Sequence, residues 1–178
     1  MSARKLVLYI AMSLDGYIAT ADEDLSFLSI VERQGEDYEY NSFIQTTDTV
    51  ILGRKTYDKV LSMGFPYPHV DKESYIITRT ARPDEGNLKF YTGDLKTLIA
   101  GLKTKEGKNI FCDGGAEIVN LLMKDNLIDE FVISVIPIFL GSGIALFERG
   151  RPETMLQLVG TSSFASGLVQ LHYLKKVA

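Results

Sequence analysis

The chain has no tryptophan, one cysteine (Cys112) and two histidines, His69 and His172, among its 178 residues. A lone thiol closes no internal disulfide, so the fold does not depend on an oxidising compartment. Cys112 follows Ile110 and Phe111, the setting of a buried inert thiol rather than a nucleophile. The histidines lie far apart in sequence and near no cysteine, and a structural zinc site needs about four N/S ligands. No excess of basic charge is present: 19 Lys and Arg stand against 23 Asp and Glu, for a net charge of −4. That balance argues against a nucleic-acid binder held by phosphate contacts. Neither G-x-G-x-x-G nor G-x-x-x-x-G-K-[ST] occurs, which disfavours a standard Rossmann site and a P-loop ATPase. With only 5 Pro and 15 Gly, no long disordered or collagen-like tract fits.

Long apolar runs are missing as well. Leu6–Met12 is too short and wrongly flanked for a signal peptide. Phe131–Phe147 carries no charge, but it falls short of the ~20 residues of a spanning helix. Pro137, Gly141 and Gly143 also interrupt it. Both runs read as buried strand, and no membrane association is expected. The length suits one domain over residues 1–178. A cytoplasmic protein with a small-molecule partner is the expectation.

What is present is an alternation of apolar and amphipathic segments. Leu6–Met12, Val50–Leu52, Tyr75–Ile77, Ile110–Cys112 and Phe131–Ile136 have the character of covered strands. Leu95, Leu98, Ile99 and Leu102 fall on one helical face, and Ile118, Leu121 and Leu122 begin a second. Crossover helices predict a mostly parallel sheet. Leu168–Leu174 alternates with period two and Met155–Val159 also reads as strand, so an antiparallel pair finishes the sheet. The fold class is α/β.

In such sheets chemistry gathers beyond the carboxyl ends of the strands. Four segments stand there: Ser13–Gly16, Gly53-Arg54-Lys55-Thr56, Thr78-Arg79 and Asp113–Glu117. Gly53 and the pair Gly114-Gly115 each lead into a helix, where free N–H groups and glycine let a phosphate approach. Arg54 and Arg79 supply guanidinium forks and Thr56 a hydroxyl. Each turn alone reads more readily as a helix start with solvated basic residues or as a tight structural turn. Two together suit a dinucleotide. Asp15, Asp37 and Glu39 are the acidic candidates, able to anchor substrate or move a proton if burial raises their pKa. Asp15-Gly16 also reads as a turn, and Glu36–Tyr40 as a solvated helix start.

These motifs resemble the dihydrofolate reductase-like superfamily over nearly the whole chain. Ala11–Ala19 is similar to two of its branches, and Leu52–Tyr57 to dihydrofolate reductases. Gly114–Ile118, Leu127–Glu130 and Pro137–Gly143 look like the reductase domain of bacterial riboflavin biosynthesis. The resemblance implies a mostly parallel sheet flanked by helices, NADPH as hydride donor, and a homodimer. It places Arg54, Lys55 and Thr56 at the adenosine-side phosphates and Thr78 and Arg79 at the 2′-phosphate. Gly53 joins the same loop, and Gly114, Gly115, Ala116 and Glu117 meet the pyrophosphate and nicotinamide ribose. Ala11 and Ile18 line the nicotinamide pocket, under the Ser13–Gly16 loop. Asp37 stands at the spacing of the substrate-binding carboxylate of bacterial dihydrofolate reductases. The implied activity is that of 5-amino-6-(5-phosphoribosylamino)uracil reductase. A pterin reductase and a non-catalytic nucleotide-binding protein are the alternatives. Deaminase zinc ligands are absent, no arginine-bearing substrate segment stands between Thr56 and Tyr75, and the tryptophan of the folate branch is missing.

Overall fold

A computed structural model describes residues 4–64 and 66–176. The apolar runs become the middle of one eight-stranded sheet. In chain order its strands are β1 (Leu6–Ser13), β3 (Thr47–Gly53), β4 (Glu73–Ile77), β5 (Leu88–Tyr91), β6 (Asn109–Gly114), β7 (Glu130–Ile136), β9 (Leu156–Ser163) and β10 (Val169–Lys175). They lie side by side as β5-β4-β3-β6-β1-β7-β10-β9. The first six in that order run parallel, and β10 and β9 close the sheet antiparallel. Two short strands, β2 (Tyr17–Ala19) and β8 (Ile144–Ala145), form a separate ribbon.

Because strand side chains alternate, β1 divides its residues between two cores. Leu6 and Leu8 face α3 (Leu95–Thr104) and α4 (Ala116–Lys124), packing with Ile99, Leu102, Val119 and Leu122. Tyr9 turns to the opposite face, where α1 (Tyr40–Gln45) and α2 (Arg54–Ser62) bring Phe43 and Tyr57 onto Phe111 and Val50. A 3-10 helix (Ser26–Val31) covers the next part of that face with Phe27 and Val31. Asp94 caps α3 by accepting the Thr97 N–H at 2.8 Å.

The expected strands form except that Phe131–Phe147 is strand only to Ile136 and again at Ile144–Ala145, and β2, β5 and β8 are added to them. On α4 the buried stripe is shifted: Leu121 is 44% exposed, while Val119 is buried with Ile118 and Leu122. The expected helix start at Glu36–Tyr40 moves also. Tyr38 and Glu39 have φ of 53° and 67°, and the helix begins only at Tyr40. Cys112 is buried, and desolvation pushes its thiol up to about 12. No described helix is long and apolar enough to cross a membrane.

Candidate active site

All the parallel strands end at one edge, so Ser13, Gly53, Ile77, Gly114 and Ile136 mark a common rim. Since β3 and β6 are neighbours, the turns after Gly53 and Gly114 meet. Thr56 Oγ1 accepts the Gly115 N–H at 2.9 Å. The contact leaves no room for a side chain: a Cβ on Gly115 would lie 2.8 Å from that oxygen, and one on Gly53 would lie 3.1 Å from Ile118 Cγ1. Neither α2 nor α4 has a side-chain N-cap, so their first-turn N–H groups stay open to an anion. Ala116 is buried at the start of α4.

Two of the charged candidates around these turns form ion pairs. Arg54 contacts Asp58 at 2.5 Å, one helical turn on, and Lys55 is exposed. Arg79, 91% exposed, meets Glu117 at 2.6 Å. Such a surface pair contributes between nothing and about 1 kcal/mol, so a phosphate competes for the guanidinium cheaply. Thr78 is buried, and its hydroxyl accepts the Thr80 N–H at 3.1 Å.

A cleft of about 710 Å³ opens beside this rim, over the carboxyl halves of β1 and β7. Tyr9, Ala11, Ser134 and Ile136 line its floor, and Tyr38 and Tyr40 its side. The Tyr9 hydroxyl donates to the Tyr38 carbonyl at 2.6 Å. Gln170, 4% exposed, holds that contact from behind. Its Nε2 lies 3.1 Å from Tyr9 Oη, 3.2 Å from Ser134 Oγ and 3.2 Å from the Tyr38 carbonyl. The Tyr9 ring stacks on Phe43 at 4.5 Å and meets Tyr40 edge-on at 5.6 Å. Desolvation raises both phenols above their ordinary range, so each remains a neutral hydroxyl near pH 7.

Asp37 lies on the cleft rim but is exposed rather than buried. Its oxygens accept the backbone N–H groups of Glu39 at 3.1 Å and Asn41 at 3.0 Å. The left-handed pair Tyr38-Glu39 sets it outside the helix as a cap. Asp15 is a structural carboxylate too. It accepts Ser13 Oγ–H at 2.6 Å and the N–H groups of Leu140 and Gly141 at 3.1 and 2.7 Å. The Ser13 hydrogen bond and these amides hold its pKa below the ordinary range. Ala11 lines the cleft, whereas Ile18 packs against the core of the opposite face.

Tyr9, Ser134 and Gln170 escaped the sequence reading, because polar residues in strands are as easily edge as floor. The inward alternation of Ser134 with Ile136 was the available signal. His69 packs edge-on against Tyr67 and Phe111, with Nε2 3.7 Å from Asp113, and His172 pairs with Glu130 at 2.6 Å. No described cluster of three or more His, Cys, Asp or Glu is placed to hold a metal.

Residues 4–170 match the RibD C-terminal domain family. The uncharacterized protein YwjB of Bacillus subtilis (strain 168) is 46% identical over 175 residues, spanning 97% of this chain and 98% of its own. A second B. subtilis protein, the uncharacterized YyaP, is 28% identical over 185 residues, 97% of this chain and 96% of its own. The crystal structure of a putative riboflavin biosynthesis protein from Shewanella sp. PV-4 superposes with a TM-score of 0.89 at 29% identity, covering 97% of this chain and 99% of that one. The deaminase/5-amino-6-(5-phosphoribosylamino)uracil reductase of Thermotoga maritima shares the fold, with a TM-score of 0.72 at 13% identity. The match covers 98% of this chain and 57% of the T. maritima protein. The architecture is that of dihydrofolate reductase-like proteins.

Proposed function

Because the chain belongs to the RibD C-terminal domain family, we propose that it is a cytoplasmic, NADPH-dependent reductase of the riboflavin-biosynthesis type. The observation carrying this reading is the pair of uncapped helix N-termini, at Arg54 and Ala116, joined by the Thr56–Gly115 hydrogen bond beside a cleft. Two anion-receptive turns side by side, with Cβ-free backbone at Gly53, Gly114 and Gly115, fit a dinucleotide pyrophosphate. Arg54, Lys55, Thr56, Thr78 and Arg79 then hold the adenosine-side phosphates. Ala116 and Glu117 meet the nicotinamide ribose, and Ala11 flanks the nicotinamide, whereas Ile18, packed against the core of the opposite face, is left out of that pocket.

Bound NADPH supplies the hydride, from nicotinamide C4 to a C=N or C=O carbon of a small heterocyclic substrate. The chain supplies orientation and exclusion of water. Tyr9, Tyr40 and Ala11 give the substrate ring a flat apolar seat. Asp37 anchors the substrate or relays a proton from the rim. Asp15 stays ionised and fixes the Ser13–Gly16 loop to the Leu140-Gly141 turn. Asp37 at the cleft is also what favours the second reading, a dihydrofolate or other pterin reductase. A homodimer completes the proposal. The outermost strand β9 and its flank expose Met155, Leu156, Leu158 and Val159, and no charged side chain occurs from Thr154 to Leu171. Two copies of a chain of net charge −4 meet most readily over such a neutral strip.

Paired fluorescence titrations with NADPH and NADH test the cofactor site. NADPH oxidation is then followed with 5-amino-6-(5-phosphoribosylamino)uracil and with dihydrofolate. Tighter binding of NADPH and its oxidation by either compound support a reductase. Binding without oxidation by either points to a non-catalytic nucleotide-binding protein, and binding of neither cofactor rejects the reading.

A further inference from the structure

We propose that the cleft selects a planar heterocycle carrying no phosphate, either uncharged or cationic. This rests on the cleft being the seat of the reductase's substrate, and it narrows that substrate by charge, to a ring without the phosphate of 5-amino-6-(5-phosphoribosylamino)uracil or the carboxylates of dihydrofolate.

The floor and side wall of the cleft are aromatic and aliphatic, and its polar groups are neutral: the Tyr9 hydroxyl, Ser134 and the Tyr38 carbonyl. The rim is different. Glu32, Glu36 and Asp37 all line it, and against these three carboxylates stands one cation, Arg33. That guanidinium is turned back on the 3-10 helix, where Nη1 donates to the Glu32 carbonyl at 2.7 Å and the Ile30 carbonyl at 3.3 Å. Nη1 thereby satisfies carbonyls at the carboxyl end of its own helix. A fourth carboxylate, Glu39, together with Asp37, contributes to raising the pKa of Tyr9 on the floor. The negative field of the rim therefore reaches into the cleft.

A phosphate of charge near −2 entering this mouth meets three carboxylates against one guanidinium, which already shares Nη1 with two backbone carbonyls. The basic side chains stand elsewhere, with Arg54, Lys55 and Arg79 around the two helix N-termini. One edge of the sheet thus carries a cation-bearing rim suited to a dinucleotide and an acidic mouth suited to a neutral or positively charged ring. Glu36 Oε1 also accepts the Tyr38 N–H at 2.9 Å, which fixes one of the acids in place.

Riboflavin and riboflavin 5′-phosphate serve as probes, since they share one ring system and differ by the phosphate. Each is titrated by fluorescence quenching into protein saturated with NADP⁺ at low salt, for wild type and for Glu32→Gln/Glu36→Gln. That double variant keeps a side-chain carbonyl to accept the Tyr38 N–H. Wild type should bind the unphosphorylated probe about tenfold more tightly, with the gap narrowing in salt. The double variant should lose most of the preference. Equal affinities in wild type, a preference for the phosphorylated probe, binding of neither, or an unchanged gap in the variant each overturn the proposal. The preceding NADP⁺ titration reports separately on the cofactor site, so failure of the reductase reading is distinguishable from failure of the charge selection.

Discussion

Thr56→Val tests whether the two helix-leading turns act as one unit. Valine keeps the shape of threonine but replaces Oγ1, the acceptor of the Gly115 N–H at 2.9 Å, with a methyl. A lost net hydrogen bond costs about 1 kcal/mol, and a partly buried N–H left facing a methyl adds about 1 kcal/mol more. The expected destabilisation is about 2 kcal/mol, or about 4–8 °C in Tm for a domain of this size. The turn at Gly115 must also shift, because a carbon cannot approach an amide nitrogen as closely as an oxygen does. NADPH affinity should therefore fall about tenfold, equivalent to about 1.4 kcal/mol. Thr56→Ser keeps the acceptor and should recover most of both losses. Gly115→Ala attacks the same contact from the other side, since its Cβ would meet Thr56 Oγ1 at 2.8 Å. Combining Gly115→Ala with Thr56→Ala should cost less than the two single changes together. Urea midpoints and NADPH titrations read these effects. If Thr56→Val leaves both unchanged, the turns are not coupled through this oxygen and the cofactor assignment loses its main support.

Arg79→Ala should weaken NADPH several-fold and leave NADH nearly untouched, because only NADPH carries the 2′-phosphate; equal losses in paired titrations would remove Arg79 from that role. Asp37→Asn keeps one of the two oxygens that accept the Glu39 and Asn41 N–H groups. It should lower turnover at least tenfold at constant NADPH affinity, and an unaltered rate would leave Asp37 a helix cap alone. Leu158, 51% exposed on the sheet edge, should tolerate Asp without unfolding. Sedimentation should then show a monomer where wild type is a dimer, and a dimeric variant would move the interface elsewhere. Asp15 has a lowered pKa in the fold, so its contribution to stability is present above its unfolded pKa and is lost on acidification. The difference in urea midpoint between wild type and Asp15→Asn should shrink as pH falls below about 4; a difference constant with pH would show that the lowered pKa is not linked to folding.

The parts of this fold legible in sequence are those governed by continuous burial. Leu6–Met12 and Phe131–Ile136 are apolar on both sides because helices cover one face and the cleft elements the other. No alternative to a central strand fits them. The two glycine-bearing turns were legible because a strand, a glycine and a helix start occur in that order. Their contact was not, since it depends on β3 and β6 being neighbours, and strand order leaves no mark on local composition. β5 was missed because Leu88 and Phe90 alternate with Lys89 and Tyr91 over only four residues. Leu121 was misplaced because it shares helical spacing with Leu122, and only the packing of α4 on the sheet decides which of the two is inside.

Asp37 shows where spacing stops being informative. Asp37 lines the cleft, but its environment is set by residues that spacing ignores. Tyr38 and Glu39 adopt left-handed backbone, which delays the helix to Tyr40 and turns the Asp37 carboxylate onto the Glu39 and Asn41 amides. The same bend brings the Tyr38 carbonyl to Tyr9 Oη and Gln170 Nε2. The position of the acid at the mouth and the hydrogen bonding of the floor therefore share one cause. Loosening Gln170 should disturb both at once. Gln170→Ala should free the Tyr38 carbonyl from one donor and leave the Tyr9 hydroxyl held only by its own bond to that carbonyl. If so, the variant loses selectivity between the phosphorylated and unphosphorylated probes although it removes no charge. A variant that keeps full selectivity would show that the rim acids hold their positions without the floor beneath them.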